Sequence, residues 1–166
     1  ALDNNDVQYA PMPGRMDLRL AIAEKMLKRH EVDINPIDEI TITAGATQAI
    51  YTVFASLIQP GDEVIILDPA YDCYDPGVRV HGGIPVHVNL TFPNFEIDWK
   101  VLRGQITDKT KLLVVNNPHN PTGSVLSKID IQEMESLMDN FPNLYILSDE
   151  VYEHIQYNGE HQSVLK

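Results

Sequence analysis

Cysteine is nearly absent from this 166-residue chain, where Cys73 stands alone. A single thiol excludes an internal disulfide and fits a reducing compartment, so the expected location is cytoplasmic. Basic residues are scarce too, with 12 Lys and Arg against 24 Asp and Glu and a formal charge of -12. Most of such a surface repels a nucleic-acid duplex or an anionic bilayer, and neither is expected as a partner. No apolar run nears the roughly 18 residues that a membrane span requires. The opening residues Ala1-Leu2-Asp3-Asn4-Asn5-Asp6 are polar rather than signal-like, and Ala1 is not an initiator, as in a processed or incomplete polypeptide. Among the histidines, His119, His154 and His161 lack an H-E-x-x-H or comparable spacing, so no metal is expected. Cys73 lies between Asp72 and Tyr74 with no cation beside it to favour a thiolate, and is read as structural.

What is present is enough apolar material, 43% of residues, for one core, and residues 1–166 are read as a single domain. Leu18, Ile22 and Met26 recur every fourth residue and predict a helix from about Asp17 to His30. Ile50, Val53, Phe54 and Leu57 predict a second, ended by Pro60-Gly61. Ile131, Met134, Leu137, Met138 and Phe141 predict a third, stopped near Pro142. Between them lie continuous apolar runs at 64–67, 112–115 and 144–147, the pattern of strands covered on both faces, and a shorter strand is expected at Ile40-Thr41-Ile42. Strands alternating with helices predict an α/β fold: a mostly parallel sheet with helices on both faces. Residues Asn89 to Asn94 read as a local turn.

Each predicted strand runs directly into a polar or glycine-rich string, and the carboxyl ends of parallel strands are where such sheets place ligands. Thr43-Ala44-Gly45-Ala46-Thr47-Gln48 opens the second helix with small side chains, leaving backbone N–H groups and a hydroxyl to face an anion; an ordinary N-cap would read the same. The string is neither a Walker loop nor a G-x-G-x-x-G turn, which ranks nucleotide binding second. Asp149, at the end of a buried strand, needs a cationic or donor partner, such as a protonated pyridine nitrogen, a helix end or a metal. Asn120 stands between Pro118 and Pro121, which aim its amide, or merely shape a tight turn with Gly123. Tyr71 can stack on a heteroaromatic ligand or simply pack, and Tyr152 can donate a phenol hydrogen bond beside Asp149 or sit in the core.

Asn120-Pro121-Thr122-Gly123 followed by Ser148-Asp149-Glu150-Val151-Tyr152 resembles, over the whole chain, the fold-type I pyridoxal-phosphate (PLP) enzymes, specifically the class I/II aminotransferases. The strings at 43–47, 72–74 and 149–155 look most like the branch of methionine and kynurenine (glutamine) aminotransferases. By that resemblance the cofactor is pyridoxal 5'-phosphate. Asp149 would pair with its ring nitrogen, Asn120 and Tyr152 would hydrogen-bond its phenolic oxygen, Tyr71 would stack on the ring, and Ala46 and Thr47 would hold its phosphate. Asp149 and Tyr152 are the residues expected to take part in catalysis. Tyr9, in Gln8-Tyr9-Ala10-Pro11, looks like the tyrosine that such enzymes send to the neighbouring subunit's phosphate, which implies a homodimer. The activity implied is transfer of an amino group from methionine or aromatic-type amino acids to a 2-oxo acid. A C–S β-lyase and a non-catalytic PLP- or phosphate-binding module are the alternatives.

One departure stands out. The family's Schiff-base lysine lies in a Ser-x-x-Lys-like string well downstream of Asp-x-x-Tyr, and Ser163-Val164-Leu165-Lys166, fourteen positions past Tyr152, is read as a chance match. The arginine for the substrate carboxylate and the small domain are missing as well. The chain is therefore expected to be part of a large PLP-binding domain, inactive by itself.

Overall fold

Four segments pair into one sheet in the computed structural model, which describes residues 9–157 and 159–165. The opening residues 1–6, Gln8 and Lys166 lie outside them. The strands are β1 (Glu63–Asp68), β2 (Ile84–Asn89), β3 (Thr110–Asn116) and β4 (Tyr145–Asp149). Their order is β2-β1-β3-β4 and every pairing is parallel. Each strand ends in a side chain that can accept a hydrogen bond, namely Asp68, Asn89, Asn116 and Asp149.

Residues 46–164 form one compact unit. It contains α2 (Ala46–Leu57), α3 (Tyr74–Val80), α4 (Trp99–Gln105) and α5 (Lys128–Asn140). Alternation along the strands divides the core in two. Val64, Ile66, Leu112 and Val114 pack with Ile50 and Phe54 of α2 and with Tyr74 and Val78 of α3. Ile65, Leu67, Leu113 and Val115 pack with Leu102 of α4 and with Met134 and Leu137 of α5. Helices thus cover both faces, which makes this the α/β architecture expected. α3 lies close against α2 because position 77 is glycine: a Cβ there would come within 2.9 Å of the Phe54 ring. Caps fix the starts of two helices. Asp98 accepts from the N–H groups of Lys100 and Val101, and Ser127 forms a capping box with Asp130.

The other unit comprises, of the described residues, 9–45 with Leu165. Its helix α1 (Met16–His30) ends in a left-handed residue, Glu31, whose N–H returns to the Leu27 carbonyl. Arg19, 3% exposed, donates to the Ile37 carbonyl. The strand expected at Ile40-Thr41-Ile42 is not formed: no ladder partner pairs with it among the described residues, and Ile42 N–H instead donates to Pro13 O at 3.0 Å. Ile40 is nonetheless buried. Burial, then, was the true content of that apolar run.

Other differences follow from where elements sit in the sheet. β4 is a terminal strand among the described residues and is exposed to half-buried along its length, whereas β1 and β3 are buried as expected. β2 is not a continuous apolar run because Pro85 and His87 interrupt it; with β1 its one sheet neighbour among the described residues, it tolerates a proline. The turn expected at 89–94 is present, closed by an antiparallel bridge between Thr91 and Glu96. No helix among the described residues is long and apolar enough to cross a membrane.

Candidate functional site

The chain leaves β1 toward β2 and later returns past β1 to β3, so neighbouring connections diverge above the carboxyl ends of β1 and β3. Divergence of this kind opens a crevice where parallel sheets bind ligands. A cavity of about 200 Å³ lies there, within the unit of residues 46–164. Ala46, Thr47 and Ile50 of α2 form one wall, Tyr71 and Tyr74 follow β1, Asn116 and Asn120 end and follow β3, and Asp149 and Tyr152 end and follow β4. Six residues named from the sequence, Ala46, Thr47, Tyr71, Asn120, Asp149 and Tyr152, are therefore brought together. Tyr9 belongs to the other unit and is fully exposed.

The cavity is electrically asymmetric. At one end α2 presents its N-terminal turn and the positive end of its dipole, and no acidic side chain occupies that turn. Gly45, just before it, has φ +104°, a left-handed conformation that side chains resist, and Ala46 and Thr47 stay exposed. At the other end stands the Asp149 carboxylate, half-buried rather than largely buried as expected, because β4 is covered less than the inner strands. No basic residue lines the cavity among the described residues. The arrangement suits a ligand that is anionic at one end and carries a protonated donor at the other.

Polar contacts hold Asp149 in place. Its backbone carbonyl accepts from Asn117 N–H at 3.0 Å and from Asn116 Nδ2 at 2.8 Å. Its Oδ2 accepts from the Tyr74 hydroxyl at 2.7 Å, and its Oδ1 from Val151 N–H at 3.3 Å. Asn116 also accepts from Asn120 N–H at 2.7 Å, which ties the loop after β3 to the end of β4. Asn120 Nδ2 donates to the Tyr152 hydroxyl at 3.4 Å, so amide and phenol converge on one spot. Tyr71 meets Tyr74 edge-on with ring centroids 5.9 Å apart. Burial, followed by the charge of Asp149, pushes the Cys73 thiol above its ordinary value, as befits a structural cysteine.

Tyr74, Asn116 and Asn117 lie in strings that the sequence marks, at 72–74 and 116–123, but the sequence assigns them no role of their own. Two amides ending an otherwise apolar strand were a usable signal, because buried amides need partners. Asn117, wholly buried, donates to Gln162 O at 2.7 Å and accepts from Leu126 N–H at 3.0 Å. Glu150 turns to a different task from Asp149: its carboxylate takes His161 Nε2 at 2.6 Å, the Ser163 hydroxyl at 3.1 Å and Val164 N–H at 3.2 Å.

Residues 2–165 match the family model "Aminotransferase class I and II". A methionine aminotransferase of Escherichia coli (strain K12) is 39% identical over 159 residues, a stretch covering 95% of this chain and 41% of that protein. An aspartate/prephenate aminotransferase of Thermus thermophilus is 41% identical, covering 98% of this chain and 42% of its own length. Among solved structures, an Escherichia coli protein described as having a methionine aminotransferase function superposes with a TM-score of 0.95 at 38% identity, covering 99% of this chain and 43% of its own. An alanine aminotransferase from Pyrococcus furiosus gives 0.93 at 34%, covering 99% and 42%. The chain thus spans about two fifths of the length of these relatives.

Proposed function

Because the chain belongs to the class I and II aminotransferases, a PLP-dependent family, we propose that the whole protein moves an amino group from an amino acid to a 2-oxo acid, with the residues described here holding the cofactor. The observation that carries this reading is the cavity's polarity, with the start of α2 at one end and the Asp149 carboxylate at the other. Backbone N–H groups at Ala46 and Thr47, with the Thr47 hydroxyl, would take the phosphate. Asp149 would face the ring nitrogen and keep a proton there. Asn120 and Tyr152 would donate to the phenolic oxygen, and Tyr71 would lie against the ring. When bound, PLP supplies an electron sink for the pair left as the substrate's α C–H bond breaks.

Asp149 therefore acts by charge and does not itself remove the substrate proton. No lysine lines the cavity among the described residues, which supports the reading that this stretch alone does not transaminate. Asn120 and Tyr152 also border a cleft of about 480 Å³ with Ile155 and Tyr157 in its wall. An apolar lining of this kind supports methionine or aromatic amino acids as donors. The full exposure of Tyr9 is compatible with a homodimer in which it reaches the partner's phosphate. The lone Cys73 is compatible with a cytoplasmic setting, and we assign both compact units to one large domain.

The test is an assay of the whole protein with added PLP. A 2-oxo acid formed from methionine or phenylalanine in preference to aspartate is the expected result. Pyruvate and ammonia released from a cysteine conjugate would identify a C–S lyase instead, and PLP binding without turnover a non-catalytic module. The 166-residue chain alone is expected to yield none of these products.

A further inference from the structure

Tyr74 is 2% exposed, its ring set among Phe54, Ile66, Val78, Leu112 and Val114, yet its hydroxyl reaches the rim of the cavity. A buried phenol generally requires a partner, and many core tyrosines satisfy this with a backbone carbonyl. Here the partner is Oδ2 of Asp149, at 2.7 Å. Burial, then the hydrogen bond to Asp149, push the phenol well above its ordinary value, so it stays protonated and can only donate in this contact. Asp149 receives its other side-chain contact from Val151 N–H at Oδ1, at the longer distance of 3.3 Å. The phenol is thus the shorter of the two contacts that set the plane of the carboxylate.

We propose that Tyr74 is a positioning residue for Asp149: its hydroxyl fixes the carboxylate so that the remaining acceptor capacity faces the ring nitrogen of the bound cofactor. This rests on the PLP reading above. The same ring receives Tyr71 edge-on, so one side chain from the first turn of α3 sets both the charge partner and the residue expected to stack on the heterocycle. It does so from a buried anchor, packed in one core cluster with Phe54 and Val78, each 0% exposed. A carboxylate held in advance loses less freedom when the cofactor arrives, and a hydrogen bond to a charged group is worth enough for the loss to be measurable.

The experiment measures the PLP dissociation constant of the whole protein by titrating the cofactor-free form, for the wild type, Tyr74→Phe, Asp149→Asn and the double variant. Tyr74→Phe keeps the packed ring and removes only the hydroxyl; about tenfold weaker PLP binding is expected, with an unchanged melting temperature in the cofactor-free form. In the Asp149→Asn background the same change is expected to alter PLP binding less than about twofold, because Tyr74 acts through the carboxylate. Equal losses in both backgrounds, or none in either, would overturn the proposal. Asp149→Glu leaves Tyr74 untouched but moves the carboxylate off its hydroxyl, and it too should bind PLP about tenfold more weakly; wild-type affinity in that variant would sink the proposal whatever Tyr74→Phe does. If the wild type binds no PLP, the cofactor reading itself has failed, and that outcome is distinct from the others.

Discussion

The two ends of the cavity are built in opposite ways. The α2 end offers backbone N–H groups between small, exposed side chains, and its polarity belongs to the helix rather than to any one residue. The β4 end depends on a single carboxylate, oriented by Tyr74, with its main chain tied by Asn116 and Asn117. A backbone site tolerates substitution so long as the helix starts in the same place. A side-chain site fails when one atom is lost.

That contrast sets the order of expected effects. Asp149→Ala in the whole protein removes the one carboxylate that lines the cavity among the described residues, and unpairing a charge of this kind costs about 3 kcal/mol or more. Turnover should fall at least about a hundredfold in steady-state assays, and a variant that keeps most of its kcat would erase the distinction between the two ends. Thr47→Ala takes one hydroxyl from a site made mainly of N–H groups, and PLP affinity should drop by about 1 kcal/mol, less than tenfold, in a direct titration. Thr47→Asp sharpens the point, because a negative charge at the positive helix end should weaken binding well beyond the alanine variant although both lose the same hydroxyl.

The smallest effect lies off the cavity axis, in the loop that carries Asn120. Burial holds the His119 imidazole below its ordinary value of 6.5, so the folded protein takes up this proton less readily than the unfolded chain. Stability is therefore expected to fall as pH drops below about 6.5 and to level off once the folded form is protonated as well. Urea unfolding at about pH 5 and about pH 8 should show a smaller difference in His119→Asn than in the wild type.

In β1, β3, α2 and α5 periodicity and burial agree. Val64 to Leu67 and Leu112 to Val115 are unbroken apolar runs because both faces of β1 and β3 are covered, and α2 and α5 bury Ile50, Phe54, Met134 and Leu137 of the expected stripes. In α1 the helix forms but the expected stripe is not its buried face: Leu18 is 47% exposed, Ile22 and Met26 are half-buried, and the buried residues are Arg19 and His30. Parallel order then brings the strand-end strings to one edge, which is why six residues scattered from 46 to 152 meet in one cavity. What stayed hidden was short or locally contradictory. α3 has seven residues and contains Pro76 and Gly77; α4 has seven as well; both are fixed by tertiary packing more than by pattern. Ile40 to Ile42 carried a strand's composition without a strand's neighbour. Tyr74 belonged to the string at 72–74 with no role of its own, and the distance from its hydroxyl to a carboxylate 75 residues away is what gives it one.

Asp149 and Glu150 are adjacent acids with divided duties, one bonded to Tyr74 and the other gripping the segment from His161 to Val164. Side chains along a strand switch sides at every step, so sliding β4 by one position would put either Glu150 or Ser148 where Asp149 stands. Insertions or deletions between 145 and 149 should therefore abolish both the site and the tether together, while the exposed turn around Phe92 can change length with little consequence. The alignment of one short strand against β3 is itself a functional specification, written in spacing rather than in residue identity.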